Sequence, residues 1–161
     1  MNQHEQVNEF MAVMGQDMPA SPIQPTAKVI ELRQELIREE NLELRNAADA
    51  NDIIEIADAL CDLQYVVSGA FTAYGFSPEL SKELFDEVHR SNMSKACSSE
   101  EEANNTIAKY YKEGIEVDYK KVGEYWVISR VSDNKVLKSI NYSAPDLKSI
   151  LEKHGALACQ S

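Results

Sequence analysis

Cysteine is scarce in this chain, and its few copies lie far apart. The 161 residues include three cysteines, Cys61, Cys97 and Cys159, and no CxxC pair. An odd number of widely spaced cysteines excludes a disulfide framework and offers no zinc site of the usual spacing. Cys61 lies in an apolar helical segment, where we expect a small core residue.

Long apolar runs and a secretory leader are also missing. No apolar stretch reaches the roughly eighteen residues that a membrane-spanning helix requires. The opening MNQHEQVNEF lacks the basic start and the apolar block of a signal peptide. We therefore expect a cytoplasmic protein with no membrane partner.

Positive charge is in short supply, because 16 Lys and Arg residues face 27 Asp and Glu residues, for a net charge of −11. This balance argues against binding to a nucleic-acid polymer, which requires a basic patch. The sequence also has no GxxxxGKS/T phosphate loop and no GxSxG nucleophile elbow. The excess acids either form a solvated surface or collect divalent cations, through which an anionic substrate can still bind.

The first part of the chain has helical periodicity. Three prolines between residues 19 and 25 indicate an extended connector after the first helix. Thr26 and Ser77 are placed to cap later helices, and Gly75 to end one. The predicted helices span residues 2–14, 27–46, from a cap at Asn51 or Asp52 to about Tyr74, and 78–91. The core candidates of the second helix are Val29, Ile30, Leu32, Leu36, Ile37 and Leu44.

The composition changes near residue 98. A polar helix ending at Gly114 is followed by segments rich in β-branched and aromatic residues, which indicate a small antiparallel hairpin or meander. One short helix closes the chain. We therefore predict a mainly α fold, a bundle of four to five helices, with a helical domain at residues 1–97 and a C-terminal appendage at 98–161.

The third predicted helix carries three carboxylates in an otherwise apolar stretch, EIADALCDLQYVVSG. Glu55, Asp58 and Asp62 fall within roughly 60° of one another on a helical wheel. No Lys or Arg occurs between Arg45 and Lys82. Buried charge is costly, so these acids need compensation from elsewhere in the fold.

The second predicted helix carries a similar cluster, Glu39, Glu40 and Glu43, in REENLEL. A solvated stripe is one interpretation, since arginines are available nearby as partners. A divalent cation is the other, and it also explains why like charges crowd together. Two helices that face their acids inward form a recognised kind of metal site, and Mg²⁺ prefers such oxygen ligands.

A third constellation follows in FDEVHRSNMSK. His89, Arg90, Asn92 and Lys95 lie at the end of the fourth helix or just beyond it. A basic helix C-terminus that offsets the helix dipole is one interpretation. A phosphate grip, with Lys95 as the charge and Asn92 as the hydrogen-bonding partner, is the other.

These motifs together resemble a known family. REENLEL, then DALCDLQYVVSGAFTAYGF and EVHRSNMSK, are similar to the MazG-like, all-α nucleoside triphosphate pyrophosphohydrolases. The similarity is greatest to the branch that includes phosphoribosyl-ATP pyrophosphohydrolase-like and dimeric dUTPase-like members. It covers about residues 5–97, including VNEFMAVMGQDMPASP near the start.

The family motif is ExxE, a gap, and ExxD. Glu40 and Glu43 match the first half, with Glu39 as an additional acid. Asp62 matches the motif Asp through DLQYV, but Ala59 then stands where the second Glu belongs. Alternatively, Glu55 and Asp58 form a literal ExxD, and Asp58 can take over the role of the missing ligand.

The resemblance implies hydrolysis of a nucleoside triphosphate to a monophosphate and pyrophosphate, with Mg²⁺ or Mn²⁺ as cofactor, in a homodimer or homotetramer. It implies Glu39, Glu43, Asp58 and Asp62 as metal ligands, with Glu55 as a further candidate. Glu40, at the edge of the stripe, is the expected general base. Asn92 and Lys95 match the SNxSK element, which is implied to bind phosphates. Two alternatives remain open: phosphoribosyl-ATP as the substrate, or an inactive helical oligomer or regulator, which the change at Ala59 would favour.

Overall fold

The computed structural model describes residues 1–156, and within them the chain is mainly helical. One antiparallel hairpin and one short helix follow the main helices, which confirms the predicted fold class. None of the helices within these residues is both long enough and apolar enough to cross a membrane. The elements in chain order are α1 (Gln3–Val13), α2 (Ala27–Ala50), α3 (Ile53–Ala73), α4 (Pro78–Met93), α5 (Glu100–Lys112), β1 (Val117–Val122), β2 (Tyr125–Arg130) and α6 (Leu147–Lys153).

The described chain divides into two compact units. The first unit contains residues 1–83 and 148–156, and the second contains residues 84–147. The grouping does not follow chain order, because α6 belongs to the first unit. The domain boundary predicted near residue 97 rests on composition and stays a prediction.

In the first unit, α2 and α3 form a hairpin, and α1 packs against α3. Val7 and Met11 of α1 are buried, with 2% and 1% of their surface exposed. Polar side chains also join the two helices, since His4 Nε2 lies 2.7 Å from Thr72 Oγ1. The helix predicted over residues 2–14 is therefore present.

The end of α2 differs from the prediction. The helix was expected to stop near residue 46, but it continues to Ala50. Three alanines in NAADA favour helix and sustain the extra turn. Asn51 ends α2 in the left-handed conformation, with φ at 55°, and the side chain of Asp52 then caps α3.

The predictions that Cys61 and Leu32 are core residues are wrong for the single chain. Cys61 is exposed, and so is Leu32, at 53% of its surface. The other five apolar residues proposed for the core of α2 are only half-buried. Periodicity identifies an apolar face, but it does not say whether the same chain covers that face. Cys159 lies outside the described residues.

The second unit has a small core of its own. Cys97, Ala103 and Ile128 form a buried apolar cluster, and Trp126 packs against it. β1 and β2 pair from Val117↔Arg130 to Val122↔Tyr125, and Cys97 bridges to Trp126. The hairpin alternative is therefore confirmed. The third strand of the predicted meander is reduced to an isolated bridge between Ser129 and Val136.

Candidate active site

The short connection between α2 and α3 determines which acids come together. Only Asn51 and Asp52 separate the two helices, so the helices run antiparallel in contact with each other. Asp52 accepts hydrogen bonds from the amides of Ile54 and Glu55, at 3.0 and 3.2 Å, which fixes the start of α3. The acids of both helices thus lie in one hairpin of the first unit.

Glu40 is the half-buried acid of this group. Its Oε2 atom is buried and has no hydrogen-bond partner among the residues described. Desolvation raises the pKa of this carboxyl, and the negative charges of its neighbours raise it further. The neighbours that contribute are Glu43, Asp62, Glu39 and Asp58, in that order. The structure therefore places these five acids, all proposed from the sequence, in one electrostatic neighbourhood.

The two arginines nearest in sequence to this group donate their hydrogen bonds to side chains outside it. Arg38 donates instead to Glu35, at 2.8 Å from Nε and 2.5 Å from a terminal nitrogen. Arg33 donates to the side-chain oxygen of Gln16 at 3.0 Å. Within residues 1–156, no ion pair involves any of the five acids. Glu39, Glu43, Asp58 and Asp62 are exposed, as the solvated-stripe interpretation expects, and the charge of Arg38 acts on Glu39. The choice between a solvated stripe and a cation site therefore stays a prediction.

The five carboxylates do not converge on a single point. No group of three or more His, Cys, Asp or Glu side chains within residues 1–156 is gathered closely enough to hold a metal ion. Like charges repel, so a spread arrangement is the one expected for the protein side chains alone. The donor set nevertheless fits a hard divalent cation, because every candidate donor is a carboxylate oxygen and one of them is buried without a partner.

A cleft of about 320 Å³ opens next to the acid group, between the end of α2 and the start of α3. Ala59 lies in its wall and is buried, with 3% of its surface exposed. Both Glu55 and Asp58 line the cleft, whereas Asp62 does not. Asn46 and Asp52 also line it; the sequence pointed to Asp52 only as a helix cap and did not point to Asn46. The residues that line the cleft are Glu43, Asn46, Ala47, Ala50, Asp52, Glu55, Asp58 and Ala59.

Asn92 and Lys95 belong to the second unit. Lys95 Nζ donates to Asn92 Oδ1 at 2.6 Å, so the two proposed phosphate-binding side chains contact each other. Arg90, from the same motif, donates twice to Glu87, at 2.7 and 2.8 Å. His89 is exposed. The motif therefore separates into an ion-paired arginine and a lysine–asparagine pair.

Comparison with known proteins agrees with the resemblance. The sequence pattern of the family described as phosphoribosyl-ATP pyrophosphohydrolase matches residues 7–92, which include both acid clusters and Asn92 but not Lys95. An uncharacterised protein of Acanthamoeba polyphaga mimivirus, L479, is 32% identical over 118 residues. The alignment covers 65% of this chain and 47% of L479, so the chain spans about half the length of that relative. Since the family pattern covers more than half of the sequence, the chain belongs to the phosphoribosyl-ATP pyrophosphohydrolase family.

Proposed function

We propose that this protein is a divalent-metal-dependent nucleoside triphosphate pyrophosphohydrolase, which converts a nucleoside triphosphate and water to a monophosphate and pyrophosphate. Membership of a pyrophosphohydrolase family supports the reaction class. The observation that carries the proposal is the buried, unpartnered Oε2 of Glu40 amid four further carboxylates. A carboxylate in that position is suited to take a proton or to face a cation.

We assign Glu39, Glu43, Asp58 and Asp62 to metal binding. Mg²⁺ is the proposed ion and Mn²⁺ the alternative, because both take carboxylate and phosphate oxygens. When bound, such an ion would supply charge stabilisation of the phosphates and a lowered pKa of water.

We assign Glu40 the role of general base. The water oxygen bonds to the α-phosphorus as the anhydride bond to the β-phosphate breaks, and pyrophosphate leaves with the bonding electrons. The proton of the water passes to the Glu40 carboxylate. The raised pKa of Glu40 suits this step, because a stronger base accepts a proton more readily, provided it is ionised at the working pH.

The missing motif Glu leaves two assignments for the second half of the site. Asp62 is among the main contributors to the raised pKa of Glu40, which favours Asp62 as the motif Asp. Glu55 and Asp58 line the cleft, which favours a supporting role there for Glu55. Asp58 both contributes to the raised pKa of Glu40 and lines the cleft. We therefore propose Asp58 as the replacement for the Glu absent at Ala59, with Glu55 as a further candidate.

Phosphorus NMR of the reaction mixture tests the proposed function. With Mg²⁺ or Mn²⁺, a panel of canonical and modified triphosphates and phosphoribosyl-ATP should include a substrate that gives monophosphate and pyrophosphate. The family description makes phosphoribosyl-ATP the second candidate substrate. Orthophosphate with a diphosphate as products would contradict the proposal, as would full activity in EDTA. Absence of turnover across the panel would favour the inactive oligomer or regulator.

A further inference from the structure

The segment 138–143 of the second unit is bonded to the SNMSK turn through several contacts. The amide of Ser139 donates to the carbonyl of Lys95 at 3.1 Å, and the amide of Ser143 donates to Ser94 Oγ at 3.0 Å. Ser91 Oγ donates to the phenolic oxygen of Tyr142 at 3.3 Å. Ser91 and Ser139 are almost fully buried, at 3% and 2% exposed. The two stretches, more than forty residues apart in sequence, therefore form one local structure.

This arrangement places a second lysine near Lys95. Lys138 Nζ lies 4.1 Å from the centroid of the Tyr142 ring. The hydrogen bond from Ser91 lowers the pKa of Tyr142, and the positive charges of Lys138 and Lys95 lower it further. Both lysines thus act on the same phenol, and we call Lys95, Lys138 and Tyr142 the lysine patch.

No carboxylate forms an ion pair with either lysine of the patch in the part of the chain that the structure describes. Neither Lys95 nor Lys138 takes part in an ion pair within residues 1–156, whereas Arg90 is paired with Glu87. The buried carboxylate of Glu102 lies nearby but accepts hydrogen bonds from Ser98 and Ser139, so it does not pair with either lysine. In a chain of net charge −11, two lysines of one local structure therefore keep their ammonium groups free of ion pairs. Such a site attracts a multiply charged anion.

We propose that Lys138 is a second phosphate-binding residue beside Lys95, and that the lysine patch binds the diphosphate portion of a nucleotide or of released pyrophosphate. Two ammonium groups and the Asn92 amide can contact separate oxygens of one such anion. The identity of the nucleotide rests on the proposed function, but the binding of a diphosphate group does not. Lys138 lies outside the residues that the family pattern matches, so this contribution is specific to the C-terminal segment.

Lys121 provides a matched control. Its Nζ lies 5.5 Å from the centroid of the Trp126 ring in the same unit, so it is also a lysine over an aromatic ring. Lysines in such contacts are common on protein surfaces and need no ligand. Replacement of Lys121 removes the same charge and the same kind of contact without touching the lysine patch.

Calorimetric titration with inorganic pyrophosphate, in EDTA and at low salt, tests the proposal without metal or turnover. Lys138→Gln should raise the dissociation constant for pyrophosphate about tenfold, as the loss of a charge-assisted contact does. Lys121→Gln should leave it unchanged, and thermal melting should show that both variants are folded. Equal affinity of Lys138→Gln and the wild type would overturn the proposal, as would a wild-type protein that does not bind pyrophosphate.

Parallel titrations with a non-hydrolysable nucleoside triphosphate and a nucleoside monophosphate identify the source of the diphosphate group. If Lys138→Gln weakens the binding of both pyrophosphate and the triphosphate analogue but not that of the monophosphate, the lysine patch binds substrate and product alike. If the wild type has no hydrolase activity and Lys138→Gln still loses pyrophosphate affinity, the proposed function is refuted but the lysine patch is not. If the wild type is active and Lys138→Gln changes neither its KM nor its pyrophosphate affinity, the lysine patch is refuted but the proposed function is not.

Discussion

The Glu87 carboxylate accepts a 2.7 Å hydrogen bond from the amide of Asp146, 59 residues further along the chain. Arg90 donates twice to the same carboxylate and also to the carbonyl of Ala144, at 3.1 Å. These donors stabilise the ionised form, with Arg90 the main cause, and lower the pKa of Glu87 to about 2. One side chain therefore joins the end of α4 to the segment that follows the lysine patch.

The first prediction concerns acid stability. Because the folded-state pKa of Glu87 lies below the ordinary value of 4.5, the unfolded state binds more protons between these values. The stabilisation from Glu87 should be complete above about pH 4.5 and lost as the pH falls towards 2. Glu87→Gln should therefore melt at a lower temperature than the wild type at pH 7, and the gap should close on acidification. Melting curves across this range test the prediction, and Glu124→Gln, in the hairpin turn, is the control. A constant gap at all pH values would contradict it.

The second prediction separates the two alignments of the ExxD half-motif. Asp62→Asn should lower turnover by at least about a hundredfold, the upper end of the effect seen for residues that only orient a ligand. It should also reduce the rise in melting temperature on adding Mg²⁺. Glu55→Gln should have a smaller effect on both measurements, and Glu31→Gln, an exposed acid of α2, should have none. Wild-type turnover in Asp62→Asn would show that Asp62 is only a surface acid.

The third prediction concerns Glu40 in the metal-free protein. Its raised pKa means that the folded state binds more protons than the unfolded state just above pH 4.5. Stability contributed by the neutral form is present at low pH and is lost as the pH rises through the folded-state pKa. In EDTA at neutral pH, Glu40→Gln should therefore melt at or above the wild-type temperature, and its advantage should shrink as the pH falls. Turnover should be lost in the same variant. A clear drop in melting temperature at neutral pH would indicate a stabilising partner for Glu40.

The fourth prediction tests the contact between the end of α3 and the proline connector. Gly75 has φ of 74°, and an added Cβ would overlap the backbone carbonyl oxygen of Ser21. Gly15 has φ of 65° and no atom within 4 Å of an added Cβ. Both alanine variants incur left-handed strain of about 1–2 kcal/mol. The free energy of unfolding of Gly75→Ala should fall by about 1–3 kcal/mol more, because the new methyl group overlaps the backbone of the connector. Urea unfolding of the two variants measures the difference, and equal losses would contradict the close approach.

The fifth prediction concerns assembly. Ile53 and Ile54 are each 74% exposed on α3, and Leu60 is 51% exposed. An apolar surface on this helix favours burial against another subunit, and the family resemblance implies a homodimer or homotetramer. We expect light scattering to give at least twice the chain mass of 18.1 kDa. Ile54→Asp should shift the distribution towards monomer, whereas Glu31→Gln should not. A wild-type monomer at micromolar concentration would contradict the prediction.

Much of the fold could be predicted because its signals are local. Asp52 bonds to amides two and three residues ahead, and Ser77 caps α4 through the amide of Leu80 at 3.2 Å. Such bonds depend on neighbours in the chain, so the sequence shows them directly. The end of α2 was missed because the alanines of NAADA favour helix more than the flanking polar residues oppose it. The third strand of the meander alternative is reduced to one bridge, because β-branched composition does not determine whether a segment finds a pairing edge.

The acid stripes and the SNMSK motif were determined by the sequence alone, because helical spacing dictates which side chains share a face. That Glu40 buries an oxygen without a partner was decided by tertiary structure, since desolvation depends on what packs against α2. The same holds for Lys138, which reaches the neighbourhood of Lys95 only through hydrogen bonds between segments far apart in sequence. Helical periodicity is a property of adjacent residues, whereas burial and long-range pairing are properties of the folded chain, and no local pattern encodes them.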